Sequence, residues 1–100
     1  MKLTIDTEKF EVTRSGKEVI LSRKEFQILC LLCEKPGKVF SRKDIFLNVW
    51  GEDSESKERT VDVHILVLRR KLGDEFIRTI KGVGYKVTEK NIQFAEAEFA

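Results

Sequence analysis

The sequence is poor in the residues from which catalytic and metal sites are usually built. It has one histidine and two cysteines among 100 residues. A structural zinc site needs about four ligands, and His64 is the only candidate besides the cysteines. The sequence also lacks a glycine-rich phosphate loop and paired carboxylates in a plausible cleft. These absences argue against an enzyme, and we expect no cofactor or metal.

Long hydrophobic runs are absent as well. The longest uncharged apolar run is FQILCLLC, residues 26–33, which is far shorter than the ~20 residues of a membrane-spanning helix. No apolar stretch follows the first methionine, so the sequence gives no sign of a secretory signal. With 41% hydrophobic and 36% charged residues, the sequence predicts one soluble globular domain of a cytoplasmic protein, or a fragment of such a protein.

The two cysteines, Cys30 and Cys33, have a C-x-x-C spacing. A helix through this segment places both thiols on its apolar face, beside Phe26 and Leu29. Free cysteine packs as a small hydrophobic residue. We therefore expect packed, reduced thiols; redox or metal chemistry is the alternative.

Positive charge is concentrated in one part of the sequence, although the net charge is only +2. Residues 1–58 contain eleven basic and eleven acidic residues, whereas residues 59–90 contain eight basic and four acidic ones. A local basic excess suits an anionic partner such as nucleic acid. A solvated charged face is the alternative explanation.

The order of predicted elements is a β-meander, three helices and a β-hairpin. KLTID, FEVT and KEVIL are short alternating runs, with RSGK (14–17) as a tight turn between the last two. Their apolar residues would share one sheet face: Leu3, Ile5, Phe10, Val12, Val19 and Leu21.

Serine caps mark the starts of the first two helices. Ser22 and Glu25 have the spacing of a capping box, and Pro36-Gly37 ends that helix; Ser41 opens the next one. After an acidic loop (52–58), a third helix is predicted from about Arg59 to Leu72. FIRTIKGVGYKVTEK then predicts a basic hairpin, and the glycines of KGVG favour its turn.

The last ten residues, NIQFAEAEFA, have mild helical character. An extra helix, a frayed tail and residues foreign to the domain all fit this segment. We therefore predict a domain over residues 1–90, followed by a tail of unknown structure over 91–100.

The third helix carries more aliphatic residues than one buried stripe needs. Val61, Ile65, Leu68 and Leu72 fall on one face at a period of 3.6 residues. Val63, Leu66 and Val67 point the other way, beside arginines. An outward aliphatic face of this kind indicates a contact surface.

RTVDVHILVLRRKLG, followed by IRTIKGVGYKV, closely resembles the output domain of OmpR/PhoB-type response regulators. That family typically has an R-T-V-D-V-H-I…L-R-R-K-L helix and an R-G-x-G-Y hairpin. LSRKEFQILCLL, PGKVFSRKDI and VWG match its earlier landmarks in order, so the resemblance covers about residues 3 to 88. It implies an α+β fold: a winged helix-turn-helix with an N-terminal antiparallel sheet, in which the hairpin is the wing.

The resemblance also implies a mechanism, sequence-specific binding of double-stranded DNA for transcriptional regulation. The third helix (about 59–72) would enter the major groove, and the wing (about 76–88) would reach the minor groove. Relatives bind direct repeats, commonly as head-to-tail dimers, and are switched by phosphorylation of a separate receiver domain. We expect no receiver in this chain, which would be an output module taken from a longer protein. RNA polymerase is a further expected partner, through the 51–58 loop.

The resemblance places several residues of the helices at the DNA. Arg59 and Thr60 open the recognition helix, whose N-terminus offers unsatisfied N–H groups and the positive end of the helix dipole to a phosphate. A helix cap beside a solvated arginine is the alternative. Arg42 matches a backbone-contacting position, or is a plain surface charge. Trp50 is near the phosphates in relatives, or packs in the core.

Within the third helix, the basic run 69–71 fans over almost 200°. Its members cannot all face one groove, and Arg70 lies on the outward pole. Asp62 would orient a nearby arginine, with direct contact to DNA as the alternative. His64 would be packed and hydrogen-bonded near the second helix.

The wing contributes three further matches to the resemblance. Thr79, Lys81 and Tyr85 correspond to family positions at or near DNA. Lys81 stands where arginine is common, and it keeps the charge but reads groove width less well. Tyr85 could equally be an aromatic residue at the edge of the core.

The outward aliphatics depart from the family pattern, in which polar groups are common at the positions of Leu66 and Val67. Bidentate arginine–guanine recognition is impossible from these two residues. Aliphatic groups in a major groove pack against thymine methyl groups, so Val63, Leu66 and Val67 predict an A·T-reading face. A contact with a neighbouring protein is the alternative. The alternative for the whole chain is a winged-helix module that binds protein and not DNA.

Overall fold

The computed structural model describes residues 2–52, 55–88 and 92–95. Three helices follow a small sheet, and a two-stranded hairpin follows the helices. In chain order the elements are β1 (Leu3–Asp6), β2 (Glu11–Arg14), β3 (Lys17–Val19), α1 (Arg23–Glu34), α2 (Arg42–Val49), α3 (Arg59–Leu72), β4 (Ile77–Ile80), β5 (Gly84–Val87) and β6 (Ile92–Phe94).

The N-terminal meander is confirmed, with β1, β2 and β3 antiparallel in sequence order. Its buried face carries Leu3, Ile5 and Val12, and the turn at Ser15 and Gly16 uses positive φ angles of 50° and 82°. The prediction that Phe10 lies in this face is wrong. The Asp6 carboxylate accepts the backbone N–H groups of residues 8 and 9, and so holds a turn that keeps Phe10 outside the strand.

Phe10 instead has a φ of 54° and is 63% exposed, with its ring 4.9 Å from the Phe26 ring. Leu21 was also expected on the sheet face. It lies after the end of β3 and packs, half-buried, against the core.

The C-terminal strand β6 adds an unexpected fourth strand to this sheet. The strand order is β3-β2-β1-β6, and β6 runs parallel to β1 with Ile92 opposite Leu3 and Phe94 opposite Ile5. Both apolar side chains of β6 pack against the core. The described part of the tail is thus a strand, although its sequence has mild helical character. Residues 96–100 lie outside the described residues.

The predicted caps position α1 and α2. The Ser22 hydroxyl accepts the Glu25 N–H, and the Glu25 carboxylate accepts the Ser22 N–H, which completes the capping box. The Ser41 hydroxyl accepts the Asp44 N–H at 3.0 Å and so opens α2. Helix α1 is central in the domain, since Ile28, Leu29 and Leu32 are all fully buried.

An ion pair joins α1 to α3. Glu25 is 6% exposed, and its carboxylate is 2.7 Å from the Lys71 Nζ. Burial alone would raise the pKa of Glu25. The hydrogen bonds from Lys71 and Ser22, together with the Lys71 charge, outweigh that effect and lower the pKa.

The prediction that both cysteines pack against the core is confirmed. Cys33 is 2% exposed, Cys30 is half-buried, and both thiols are free. Burial raises the pKa of Cys33 to about 12 and that of Cys30 to about 11. Thiolate is therefore scarce at neutral pH, which disfavours redox or metal chemistry. Across residues 2–52, 55–88 and 92–95 there is no cluster of three or more His, Cys, Asp or Glu side chains suited to a metal ion.

The hairpin β4–β5 is the predicted wing, and it is joined to the start of α2. Phe40 and Tyr85 exchange backbone hydrogen bonds of 2.8 and 2.9 Å. A Cβ atom at Gly84 would overlap the carbonyl oxygen of Phe40, so this close approach requires glycine. Gly82, at the tip, supplies a φ of 77°.

None of the helices in the described part of the chain is long and apolar enough to cross a membrane.

Candidate nucleic-acid interface

Helix α3 has the two faces that its sequence predicts. Val61, Ile65, Leu68 and Leu72 are at most 1% exposed and pack into the core. On the opposite side, Val63 is 58% exposed and Leu66 is 49% exposed, whereas Val67 is half-buried. The outward aliphatic face therefore consists mainly of Val63 and Leu66.

The first turn of α3 has fewer free amides than expected. The Thr60 N–H donates to the Lys57 carbonyl at 2.8 Å, and the Val61 N–H donates to the Glu58 carbonyl at 2.9 Å. The prediction of unsatisfied N–H groups is wrong for these two residues, because the residues before the helix already form a turn that accepts them. The Arg59 side chain is exposed at this end of the helix.

Asp62 joins α3 to both α2 and the wing. Its carboxylate accepts a hydrogen bond from Arg42 Nε at Oδ1, at 3.2 Å, and forms an ion pair with Arg42 in which Nη2 is 2.7 Å from Oδ2. The Tyr85 hydroxyl donates to the same Oδ1 at 2.6 Å. The prediction that Asp62 orients a nearby arginine is confirmed, and that arginine is Arg42.

Tyr85 is held as a neutral hydrogen-bond donor. Burial, together with the hydrogen bond to the Asp62 carboxylate and its negative charge, raises the pKa of Tyr85 to about 12. The side chain is half-buried at the edge of the core, as one of the two sequence interpretations predicted.

Arg69 is a second link between α3 and the wing, and sequence reasoning missed it. Its guanidinium donates to the Ile77 carbonyl at 3.0 and 3.1 Å and to the Thr79 hydroxyl at 2.6 Å. It also lies 5.8 Å from the centre of the Tyr85 ring. The spacing of Arg69 in the sequence could have indicated this link. Arg69 follows Asp62 by two helical turns and so lies on the same face of α3.

Trp50 and His64 form an aromatic contact between α2 and α3. The Trp50 ring stacks on Phe46 at 5.4 Å, and the His64 ring meets it edge-on at 5.1 Å. His64 Nδ1 is 2.8 Å from the Thr60 carbonyl, so the prediction of a packed, hydrogen-bonded histidine is confirmed. Trp50 packs on one side and is half-buried.

A cleft of about 380 Å³ lies between the start of α2, the start of α3 and the wing. It brings together Arg42, Thr79 and Tyr85 from the predicted set, with Asp62 at their junction. Val83, at the wing tip, also lines the cleft and is 57% exposed; the sequence analysis did not select it. The remaining predicted cations, Arg59, Arg70 and Lys81, are exposed.

This combination of helix, wing and exposed cations agrees with comparisons to known proteins. A family described as "Transcriptional regulatory protein, C terminal" matches residues 16–87. The chain belongs to this family.

Its relatives are response regulators. The chain is 43% identical over 91 residues to the heme response regulator HssR of Staphylococcus saprophyticus, an alignment that covers 87% of the chain and 41% of HssR. It spans about two fifths of the length of such curated relatives.

Solved structures agree on the fold. The response regulator DrrB of Thermotoga maritima, described as an OmpR/PhoB homolog, has a TM-score of 0.80 and 36% identity, covering 88% of this chain and 42% of DrrB. The DNA-binding domain of Klebsiella pneumoniae RstA, solved in complex with the RstA box, has a TM-score of 0.79 and 32% identity, covering 88% of this chain and 92% of that domain. This member of the family is a winged-helix DNA-binding effector domain of the OmpR/PhoB type.

Proposed function

We propose that the domain binds duplex DNA with α3 in the major groove and the wing β4–β5 at the adjacent minor groove. The observation that carries this proposal is the outward face of α3, where Val63 and Leu66 are exposed between Arg59 and Arg70. Exposed aliphatic residues framed by cations suit a groove with apolar methyl groups on its floor and phosphates on its walls.

In this proposal, the polar residues of the predicted set contact the phosphate backbone of the DNA. Phosphate contacts set the position and orientation of a protein on DNA without reading sequence. Arg59 and Arg70 extend from the two ends of the aliphatic face, and Lys81 extends from the wing tip. The other proposed contacts lie around the cleft, at the end of α2 and in the first turn of α3: Arg42, Thr79 and Tyr85, then Trp50, then Thr60.

The aliphatic face supplies base recognition. Val63 and Leu66 can pack on thymine C5-methyl groups, which only A·T and T·A pairs present in the major groove. Val67 is half-buried, so it has a smaller share in this contact than the sequence alone suggested. We expect the preferred half-site to contain thymine opposite these side chains.

The wider assembly is proposed by analogy with relatives. In a longer cytoplasmic protein, phosphorylation of a receiver domain would control pairing of two copies, head to tail, on direct repeats. RNA polymerase would approach the loop between α2 and α3. Part of that loop, residues 53–54, lies outside the described residues.

The test is selection of bound duplexes from a random pool, followed by measurement of affinity against salt. Several phosphate contacts should make log K fall with log salt, at roughly 0.9 per phosphate neutralised. Replacement of Arg59 by alanine should weaken binding to all sequences alike and reduce the slope by about one unit. A slope near zero would contradict DNA binding and favour the alternative, a module that binds protein.

A further inference from the structure

A negatively charged carboxylate lies in the proposed DNA interface, where positive charge is expected. Asp62 is in the first turn of α3 and lines the cleft beside Arg42 and Tyr85. Coulomb repulsion from DNA phosphates would make such a group unfavourable if it acted only as a charge. Its hydrogen bonds suggest a different role.

The geometry at Asp62 fixes the orientation of a guanidinium. Arg42 engages the carboxylate in a bidentate pair through Nε and Nη2. Bidentate pairs of this kind restrict the arginine to one plane and direction. A guanidinium has five N–H donors, and one held through Nε and one terminal nitrogen presents its other donors on the opposite edge. The Arg42 side chain is 51% exposed, whereas that of Asp62 is 33% exposed, so the arginine is the outer member of the pair.

The Tyr85 hydroxyl makes the arrangement rigid. It donates to Oδ1 of Asp62 from the wing, while the backbone of Tyr85 is paired with Phe40, next to the serine that caps α2. The carboxylate is therefore fixed from α2, α3 and β5 together. A side chain held before binding loses less entropy when it contacts a ligand.

We propose that Asp62 is a positioning residue for DNA binding, which holds Arg42 in the orientation that donates to a backbone phosphate. This inference rests on the proposed function, since it assigns the role of one residue within that interface. Two possible roles of Asp62 predict opposite changes in DNA affinity for Asp62→Ala. As a simple negative charge, its loss should strengthen binding. As a positioning group, its loss should weaken binding, because Arg42 is released.

The experiment compares Asp62→Ala, Arg42→Ala and the double variant on one selected duplex over a range of salt concentrations. We expect Asp62→Ala to weaken binding about tenfold, the scale of one charge-assisted hydrogen bond. The salt slope should fall by about 0.9, as for one lost phosphate contact. In the Arg42→Ala background, Asp62→Ala should have no further weakening effect.

Glu58→Ala is the matched control. Glu58 lines the same cleft at the same end of α3, and within the described residues its side chain makes no capping hydrogen bond. Its removal deletes one negative charge without releasing Arg42, so affinity should be unchanged or higher. Asp62→Asn, which keeps the size and one oxygen acceptor, should bind more tightly than Asp62→Ala.

Two results would overturn the inference while leaving DNA binding intact. One is unchanged or stronger binding by Asp62→Ala; the other is an equal loss in the Arg42→Ala background. Thermal melting of each variant separates lost folding from lost contact. If Asp62→Ala does not fold, the Asp62→Asn cycle decides by the same criterion. If the unaltered chain shows no salt-dependent binding, the proposed function and this inference both fail.

Discussion

At the scale of single residues, exposure separates the two kinds of aliphatic side chain on α3. Val61 and Ile65 are buried, whereas Val63 and Leu66 present about half of their surface to solvent. An aliphatic residue on a surface gains free energy only when another molecule covers it. Leu66 is therefore a suitable residue for testing the proposed contact of α3 with DNA.

Leu66→Ala should cost about 1 kcal/mol of binding free energy on the preferred site, from roughly 25 cal/mol per Å² of apolar surface no longer covered. The loss should shrink when the contacted thymine is replaced by uracil, which lacks the methyl group. The measurement is a double-mutant cycle of Leu66→Ala against thymine→uracil at each position of the half-site. Val67→Ala is the matched comparison, with a smaller coupling expected because Val67 is half-buried. If no thymine couples to Leu66, a protein contact explains the exposed face better.

The sequence was enough to place side chains on the two faces of α3, but not to predict their hydrogen bonds. The period of α3 was enough to place Val63 and Leu66 outward, since burial follows directly from helical geometry. It could not identify which cation of the run 69–71 joins the wing, because that depends on where β4 passes α3. Arg69 turned out to hold the wing, while Arg70 is exposed.

At the scale of elements, the wing is attached to the helices through both of its strands. Its second strand pairs with Phe40 before α2, and its first strand receives the Arg69 guanidinium from α3. A two-stranded hairpin alone is marginally stable in water. The orientation of the wing thus depends on these attachments as well as on its own turn.

Adjacent arginines provide a matched test of this attachment. Arg69→Met should lower stability by about 1–3 kcal/mol, because the buried Ile77 carbonyl loses its charged donor. Arg70→Met should leave stability within about 0.5 kcal/mol, as is usual for an exposed residue, but should weaken DNA binding and flatten its salt slope. Urea unfolding and binding titrations measure the two effects. Equal stability losses in both variants would count against the role of Arg69.

The fold was predictable where local rules act and less so where distant segments meet. Ser22 and Glu25 identify the start of α1 from sequence because a capping box involves only neighbouring residues. Phe10 was misplaced because a turn held by Asp6 ends the alternation early. The pairing of β6 with β1 joins residues about 90 positions apart, and three residues of weak pattern could not indicate it.

At the scale of the whole molecule, stability should decline in alkaline solution. The folded-state pKa values of Cys30, Cys33 and Tyr85 are raised to about 11, 12 and 12. A raised pKa contributes stability that is fully present below the ordinary value and is lost as pH rises through the folded value. The free energy of unfolding should therefore fall from about pH 9, the ordinary pKa of a thiol, towards pH 12.

Denaturant titrations at intervals from pH 7 to pH 11 check this decline. Replacement of both cysteines by alanine should delay its onset to about pH 10, the ordinary pKa of the remaining tyrosine. DNA affinity per folded molecule at pH 7 should not change, since the thiols are packed in α1. An onset at the same pH in the double variant would show that the thiols are not its cause.

The parallel pairing of β6 with β1 bears on how the domain resists aggregation. Without β6, β1 would be the outer strand, and an outer strand with free N–H and C=O groups is a template for strands of other molecules. The opposite edge, β3, carries the exposed charges of Lys17 and Glu18, which discourage such contacts. A chain ending at Thr88 should therefore self-associate as its concentration rises. The sedimentation coefficient of the full chain should not change with concentration. Velocity sedimentation measures this difference. By pairing with β1, three residues at the edge of a small sheet therefore protect the domain from strand-to-strand association.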